Sequence, residues 1–268
     1  MQNIRLIIEY EGTNYRGWQR QKPRCQISDI RGQKRTVQGV LEKALSKITK
    51  ERIRVIGAGR TDSKVHALGQ AANFRTKSKM TPEEFRRALN SMLPKDIVIK
   101  NAQRIKEGFH AQFDAKSKHY RYIIYQGSTP SPFLRNYALY ISYKLNLKAM
   151  REGAKHLMGK HNFSSFQLSG SSVRNPIRTI TKLSITSHRS FRSPITVHRS
   201  PNSRLISIDC EADGFLYGMV RSIVGTLIEV GKGKISPSKI KEILRARNRR
   251  LAGPTAPAKG LYLVKVGY

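Results

Sequence analysis

The stretch 57–74, GAGRTDSKVHALGQAANF, sets one carboxylate, Asp62, between Arg60 and Lys64. The chain carries 51 Lys+Arg against 17 Asp+Glu, so an acid kept inside a cationic segment asks for a chemical reason. Arg60 and Asp62 are two apart, and in an extended segment both side chains point to one side. A guanidinium close by favours the ionised carboxylate and keeps it available as a nucleophile at neutral pH. The alternative reading is a structural Arg–Asp pair or an Asx turn. Gly57 and Gly59 allow tight backbone geometry where a strand ends. There is no third glycine at dinucleotide spacing and no Gly-Lys-Ser/Thr, which excludes a Rossmann or phosphate-loop site.

Helices and strands must hold this loop in place. In TVQGVLEKALSKI the apolar residues Val37, Val40, Leu41, Ala44, Leu45 and Ile48 fall on one helical face. TPEEFRRALNSML opens with Thr81 as N-cap, Pro82 at the first helical position and Glu84 completing a capping box. Its expected buried face is Phe85, Ala88, Leu89 and Met92. Further helices are expected from Asn146 to Gly159, through FLYGMVRSIVGTLIEVG, and from Ser236-Pro237 into the arginines near 250. Strands are expected at 4–10, 54–58, 70–74, 96–105, 119–126, 181–186, 204–212 and 261–266. The order gives an α+β protein of two related halves, residues 1–105 and 106–268, each a mostly antiparallel sheet flanked by helices.

A formal charge of +34 repels itself and calls for an anionic partner, of which nucleic acid is the usual one. A membrane is the less suitable partner, because there is no run of about 18 apolar residues and no signal peptide. Residues 16–35 hold seven Lys/Arg against one acid, 188–204 four arginines and two histidines, and 232–250 eight Lys/Arg against Glu242. One such run is a solvated surface, whereas three together favour phosphate binding. Arg16 and Arg20 in the first run and Lys64 beside Asp62 are candidate RNA contacts. Tyr15 and Trp18 interleave with the first run, as suits stacking on RNA bases. The two cysteines, Cys25 and Cys210, are too far apart in sequence for a zinc motif or a disulfide framework, which fits a reduced, cytoplasmic setting.

GAGRTDSKVHALGQAANF resembles the signature of the TruA family of tRNA pseudouridine synthases, GxGRTDxGVHAxGQ. YRGWQRQ…RTVQGVLEKAL, HYRYII at 119–124, GKHNFSSF at 159–166, DGFLYGMVRSIVGTLIEVG at 213–231 and AGPTAPAKGLYL at 252–263 resemble the same family, in its order. The resemblance implies the pseudouridine synthase fold, with two pseudo-symmetric halves and a basic cleft. It implies isomerisation of uridine in tRNA at positions 38, 39 and 40 of the anticodon stem-loop, by a homodimer. No redox step or group donor is needed, so no cofactor and no metal are expected.

By the same resemblance Asp62 is the catalytic nucleophile and Tyr120 the aromatic platform for the flipped base, with Tyr122, of the same parity, in reserve. The alternative for Tyr120 is a core strand aromatic. Arg221 matches the active-site basic residue. Set among Met219, Val220, Ile223 and Val224 it needs an anion, and Asp62 is the obvious one; the alternative is an arginine that snorkels to solvent. Arg60 helps to position the RNA or forms a supporting salt bridge. His66 reads as structural, and Phe163 and Phe166 as core. Ser63-Lys64 stand where the family has Ala-Gly, residues 24–34 look like an insertion, Asn162 replaces an acid, and 187–203 is a variable loop. These departures bear on substrate range more than on reaction type. The competing readings are the same chemistry on ribosomal RNA and a non-catalytic basic RNA-binding protein.

Overall fold

The computed structural model describes residues 1–19, 35–170, 175–188 and 203–268. Arg20, the 24–34 segment and most of the 187–203 loop lie outside the described residues. The chain forms two compact units, Met1–Lys116 together with Leu263–Tyr268, and Ser117–Tyr262.

In the first unit, strand β1 (Gln2–Tyr10) buries Ile4, Leu6, Ile8 and Tyr10 by simple alternation. Helix α1 (Val37–Thr49) starts where the Thr36 hydroxyl accepts the Gly39 N–H and stops at Lys50, whose φ is 59°. Strand β2 (Ile56–Gly57) is a short rung on β3 (His66–Thr76). Helix α2 (Pro82–Met92) has the expected capping box: Thr81 N–H donates to Glu84 at 2.7 Å, and Glu84 N–H to the Thr81 hydroxyl at 3.3 Å. Strand β4 (Ile97–Ile105) pairs with one edge of β1 and β3 with the other, both antiparallel. Phe85 of α2 meets Phe74 of β3 edge to face, with ring centres 5.3 Å apart.

In the second unit, β5 (Ser117–Gln126) pairs in parallel with β6 (Leu139–Ile141). Helix α3 (Leu147–Lys155) follows from an Asn146 N-cap. Strands β7 (Gly159–Asn162), β8 (Ile177–His188) and β9 (Arg204–Ala212) complete an antiparallel sheet in the order β5-β9-β8-β7. Cys210 faces Tyr120 across the β5–β9 ladder, and both are buried. Helix α4 (Met219–Gly231) is apolar nearly all round and correspondingly buried. Helix α5 (Lys239–Ala246) follows. The last strand, β10 (Leu261–Gly267), runs from Leu263 onward in the first unit, beside β3. The fold is α+β, with mostly antiparallel sheet and five α-helices among the described residues.

Several boundaries differ from the sequence reading. Met92 is exposed and Leu93 takes its place in the core, because α2 ends there and Leu93 turns extended at ψ 150°. The expected strand 54–58 shrinks to Ile56–Gly57, since the chain leaves the ladder to bring Thr61 beside Trp18. Helix α3 stops at Lys155 instead of Gly159; Gly159, at φ +92°, opens β7. Helix α4 begins at Met219, because Gly218 at φ +67° breaks the pattern that FLYG starts. Helix α5 begins at Lys239 and ends at Ala246, because Arg247 is left-handed at φ 51°.

Candidate active site

The loop that carries Asp62 is locked from two sides. The first side is the 15–18 turn. Trp18 N–H donates to Thr61 O at 3.1 Å, and the Ser63 hydroxyl donates to Tyr15 O at 3.1 Å. That turn is itself fixed by α1, whose first N–H groups, those of Val37 and Gln38, donate to Gly17 O and Trp18 O. Gly17 sits at φ +87°, and a Cβ there would lie 2.4 Å from Thr61 O, so the close approach requires glycine. The second side is β1 and β3. The Tyr10 phenol lies 2.7 Å from the Thr61 hydroxyl, and the Gln70 amide donates to Gly59 O at 2.8 Å.

Burial pushes the Tyr10 phenol well above its ordinary value, so it stays neutral and able to donate. Asp62 itself is half-buried, while Arg60, Arg16 and Lys64 are exposed. Lys64 holds φ +66°, a conformation that L side chains rarely adopt. The fixed turn therefore uses the glycine-type geometry without the glycine.

Tyr15 and Trp18 are not available for stacking on bases. They are 4% and 2% exposed, and the Tyr15 phenol donates to Asp96 at 2.5 Å. The aromatic interleaving in the first basic run is packing for the Asp62 loop. His66 is also structural: it is buried, and its Nδ1 accepts the Gly12 N–H at 3.1 Å. Phe163 and Phe166 are fully buried.

In the second unit, Tyr120 and Tyr122 share one face of β5, and both are buried. Tyr120 meets Phe215 edge to face at 5.1 Å. The Tyr122 phenol donates to Pro257 O at 2.8 Å. Burial raises its proton affinity, and the positive charge of Arg221 opposes that rise. Arg221, in the first turn of α4, donates from Nε to Ala256 O at 2.7 Å, and its own carbonyl accepts the Ala256 N–H at 3.0 Å. Arg221 and Tyr122 thus rest on two consecutive carbonyls of the 252–257 segment.

Sequence reasoning missed what shapes that segment. Arg249 donates from Nη1 to Ala252 O at 3.3 Å and Gly253 O at 2.9 Å, and from Nη2 to the Thr255 hydroxyl at 2.8 Å. Gly253 N–H donates to the Thr226 hydroxyl at 2.9 Å, and a Cβ on Gly225 would meet Pro254 O at 1.6 Å, so α4 and the segment touch backbone to backbone. Arg249 belonged to the 232–250 run read as phosphate-binding, but its Nη1 and Nη2 donors are used inside the protein. Lys232 and Lys239 of the same run pair with Glu229 at 2.6 Å and Glu242 at 2.5 Å.

The family described as tRNA pseudouridine synthase matches residues 6–114 and 154–268. Over the full length of both chains, this protein is 46% identical to "tRNA pseudouridine synthase A" of Acetivibrio thermocellus and 46% identical to the protein of the same name from Thermoanaerobacter sp.. It is 42% identical, again over both full lengths, to "tRNA pseudouridine synthase A 2" of Clostridium perfringens. The chain belongs to the tRNA pseudouridine synthase family. The chemistry of that class is isomerisation of uridine to pseudouridine in tRNA.

Proposed function

We propose that this chain converts uridine to pseudouridine in tRNA, at positions 38, 39 and 40 of the anticodon stem-loop, with Asp62 as nucleophile. In that reaction the C1′–N1 bond breaks and a C1′–C5 bond forms. The C5 proton is lost and N1 gains one, so atoms balance without oxidant or donor. Asp62 forms the transient bond that holds the sugar or the base while uracil turns. Tyr120 supports the flipped uracil and takes part in removal of the C5 proton, directly or through water. Arg221 balances the carboxylate charge, and Arg60 positions the RNA where the base leaves. Arg16, Arg20 and Lys64 contact phosphates, and the working form is a cytoplasmic homodimer.

The observation that carries this reading is the immobilised loop. Thr61 and Ser63, on either side of Asp62, are both tied to neighbouring parts of the chain, which is the preorganisation a nucleophile needs. Release of tritium from tRNA labelled at uracil C5 tests it. The wild-type chain releases tritium, and sites 38–40 lose pseudouridine in cells without the gene. Unchanged anticodon stem-loops with altered ribosomal RNA would instead assign the same chemistry to another substrate.

A further inference from the structure

Strand β5 carries a lysine on the face that holds Tyr120. Lys118 and Tyr120 are two residues apart, so their side chains leave the same side of the strand, about 7 Å apart at the rise of a sheet. The ladders extend this corner sideways within the second unit: Lys118 faces Ala212 of β9, and Ala212 faces Ile180 of β8. Arg178, two residues before Ile180, shares that side. The chain after β9 closes the corner. Phe215 meets the Tyr120 ring edge to face at 5.1 Å, and a Cβ on Gly214 would lie 3.3 Å from Arg178 Nε. Lys118 is half-buried, and burial, then the charge of Arg178, lowers its proton affinity below that of an ordinary lysine. Arg178 Nη1 donates to Asn175 O at 3.0 Å and to Ile177 O at 2.5 Å, neutral acceptors that hold the guanidinium without cancelling its charge. Asp213, directly before Gly214, is exposed and accepts the Thr179 N–H at 3.1 Å. Among the described residues Lys118 and Arg178 form no ion pair, and segments 171–174 and 189–202 contain no Asp or Glu.

We propose that Lys118 and Arg178 bind the phosphate 5′ to the target uridine while its base rests on Tyr120; this rests on the reading of the chain as a pseudouridine synthase with Tyr120 at the flipped base. Two like charges drawn together away from water raise each other's energy, and a phosphodiester entering beside them lowers it. The guanidinium and the ammonium are both established phosphate partners. The two-residue step along β5 is comparable to the span from base to phosphate in one nucleotide. One uridine can therefore lie on Tyr120 and present its phosphate to Lys118. The contact forms only after the base has left the stack, so it serves the reacting state more than the initial capture of tRNA.

The test is a cycle between protein and RNA, read by single-turnover tritium release from C5-labelled substrate. The RNA is an anticodon stem-loop, either unmodified or with an uncharged methylphosphonate 5′ to the target uridine. On unmodified RNA, Lys118→Gln in the full-length protein is expected to slow release about tenfold with affinity within about threefold, and Lys118→Arg to recover most of the rate. On methylphosphonate RNA the wild-type chain should slow by a similar factor, and Lys118→Gln should then add less than about a further twofold, because the phosphate charge is already gone. An Arg178→Gln cycle reads the same contact from β8 if the β5 variant loses its fold. Losses that multiply in full, or release by Lys118→Gln at the wild-type rate, would overturn the phosphate contact and leave the synthase reading intact. Absence of release by the wild-type chain on unmodified RNA and on full-length tRNA would overturn both.

Discussion

The Tyr10 phenol and the Thr61 hydroxyl meet at 2.7 Å in the interior, directly before Asp62 in the chain. Tyr10 belongs to the β1 core and Thr61 to the loop that carries Asp62, so one buried bond joins the sheet to that loop. Tyr10→Phe leaves the Thr61 hydroxyl without that partner, at a cost of about 1–3 kcal/mol. The expected result is a lower Tm and a fall in kcat that exceeds any change in KM. Denaturant titration and steady-state kinetics check it; unchanged kcat would mean that the bond does not position Asp62.

Gly17→Ala is expected to be worse. It adds a Cβ within 2.4 Å of Thr61 O at a left-handed position, where backbone strain alone costs about 1–3 kcal/mol. Thr61 must move, and Asp62 with it. Isomerisation should fall at least tenfold, whereas tRNA binding measured by filter retention should hold within about threefold.

Lys64→Gly separates two roles of one residue. Relief of left-handed strain gains about 1–2 kcal/mol, and the greater freedom of an unfolded glycine returns about 0.4–1 kcal/mol of it. Stability should therefore rise slightly. If Lys64 contacts a phosphate, tRNA affinity falls and the salt slope drops by about one. A more stable variant with undiminished affinity would remove Lys64 from the RNA contacts.

Arg249 acts through the segment it clamps. Arg249→Ala releases the 252–255 stretch, directly before the Ala256 and Pro257 carbonyls on which Arg221 and Tyr122 rest. The expected outcome is a kcat reduced about tenfold with KM nearly unchanged, partly restored by millimolar guanidinium. Loss of stability without guanidinium rescue would make Arg249 a structural residue only.

Glu51 supplies a pH test of the fold. The Thr76 hydroxyl and the N–H groups of Lys77 and Ser78 hold its carboxyl below the usual range. A carboxyl depressed on folding stabilises above its unfolded value, near 4.5, and the benefit fades as pH falls through the folded value. Glu51→Gln should thus lower Tm at pH 7, and the gap to wild type should close below pH 4.5.

Much of this was legible in the chain, for reasons that differ by element. The α2 capping box and the β9 alternation are local signals, and both elements appear where the sequence puts them. Helix α5 and the end of α3 were misjudged because left-handed Arg247 and the turn after Lys155 are settled by tertiary packing. Of the candidate site residues, Asp62, Tyr120 and Arg221 are proposed from family motifs. Their supports are not, because Tyr10, Thr61 and Arg249 act through contacts distant in sequence. Tyr15 and Trp18 illustrate the same limit: an aromatic beside arginines looks the same in sequence whether it faces RNA or the core.

The central claim is that the Asp62 carboxylate is the nucleophile. The direct measurement is single-turnover tritium release from C5-labelled tRNA by Asp62→Asn, alongside tRNA binding by the same preparation. The account predicts no release above background, with affinity within about threefold of wild type. Release at a rate near wild type would contradict it and assign the chemistry to another residue.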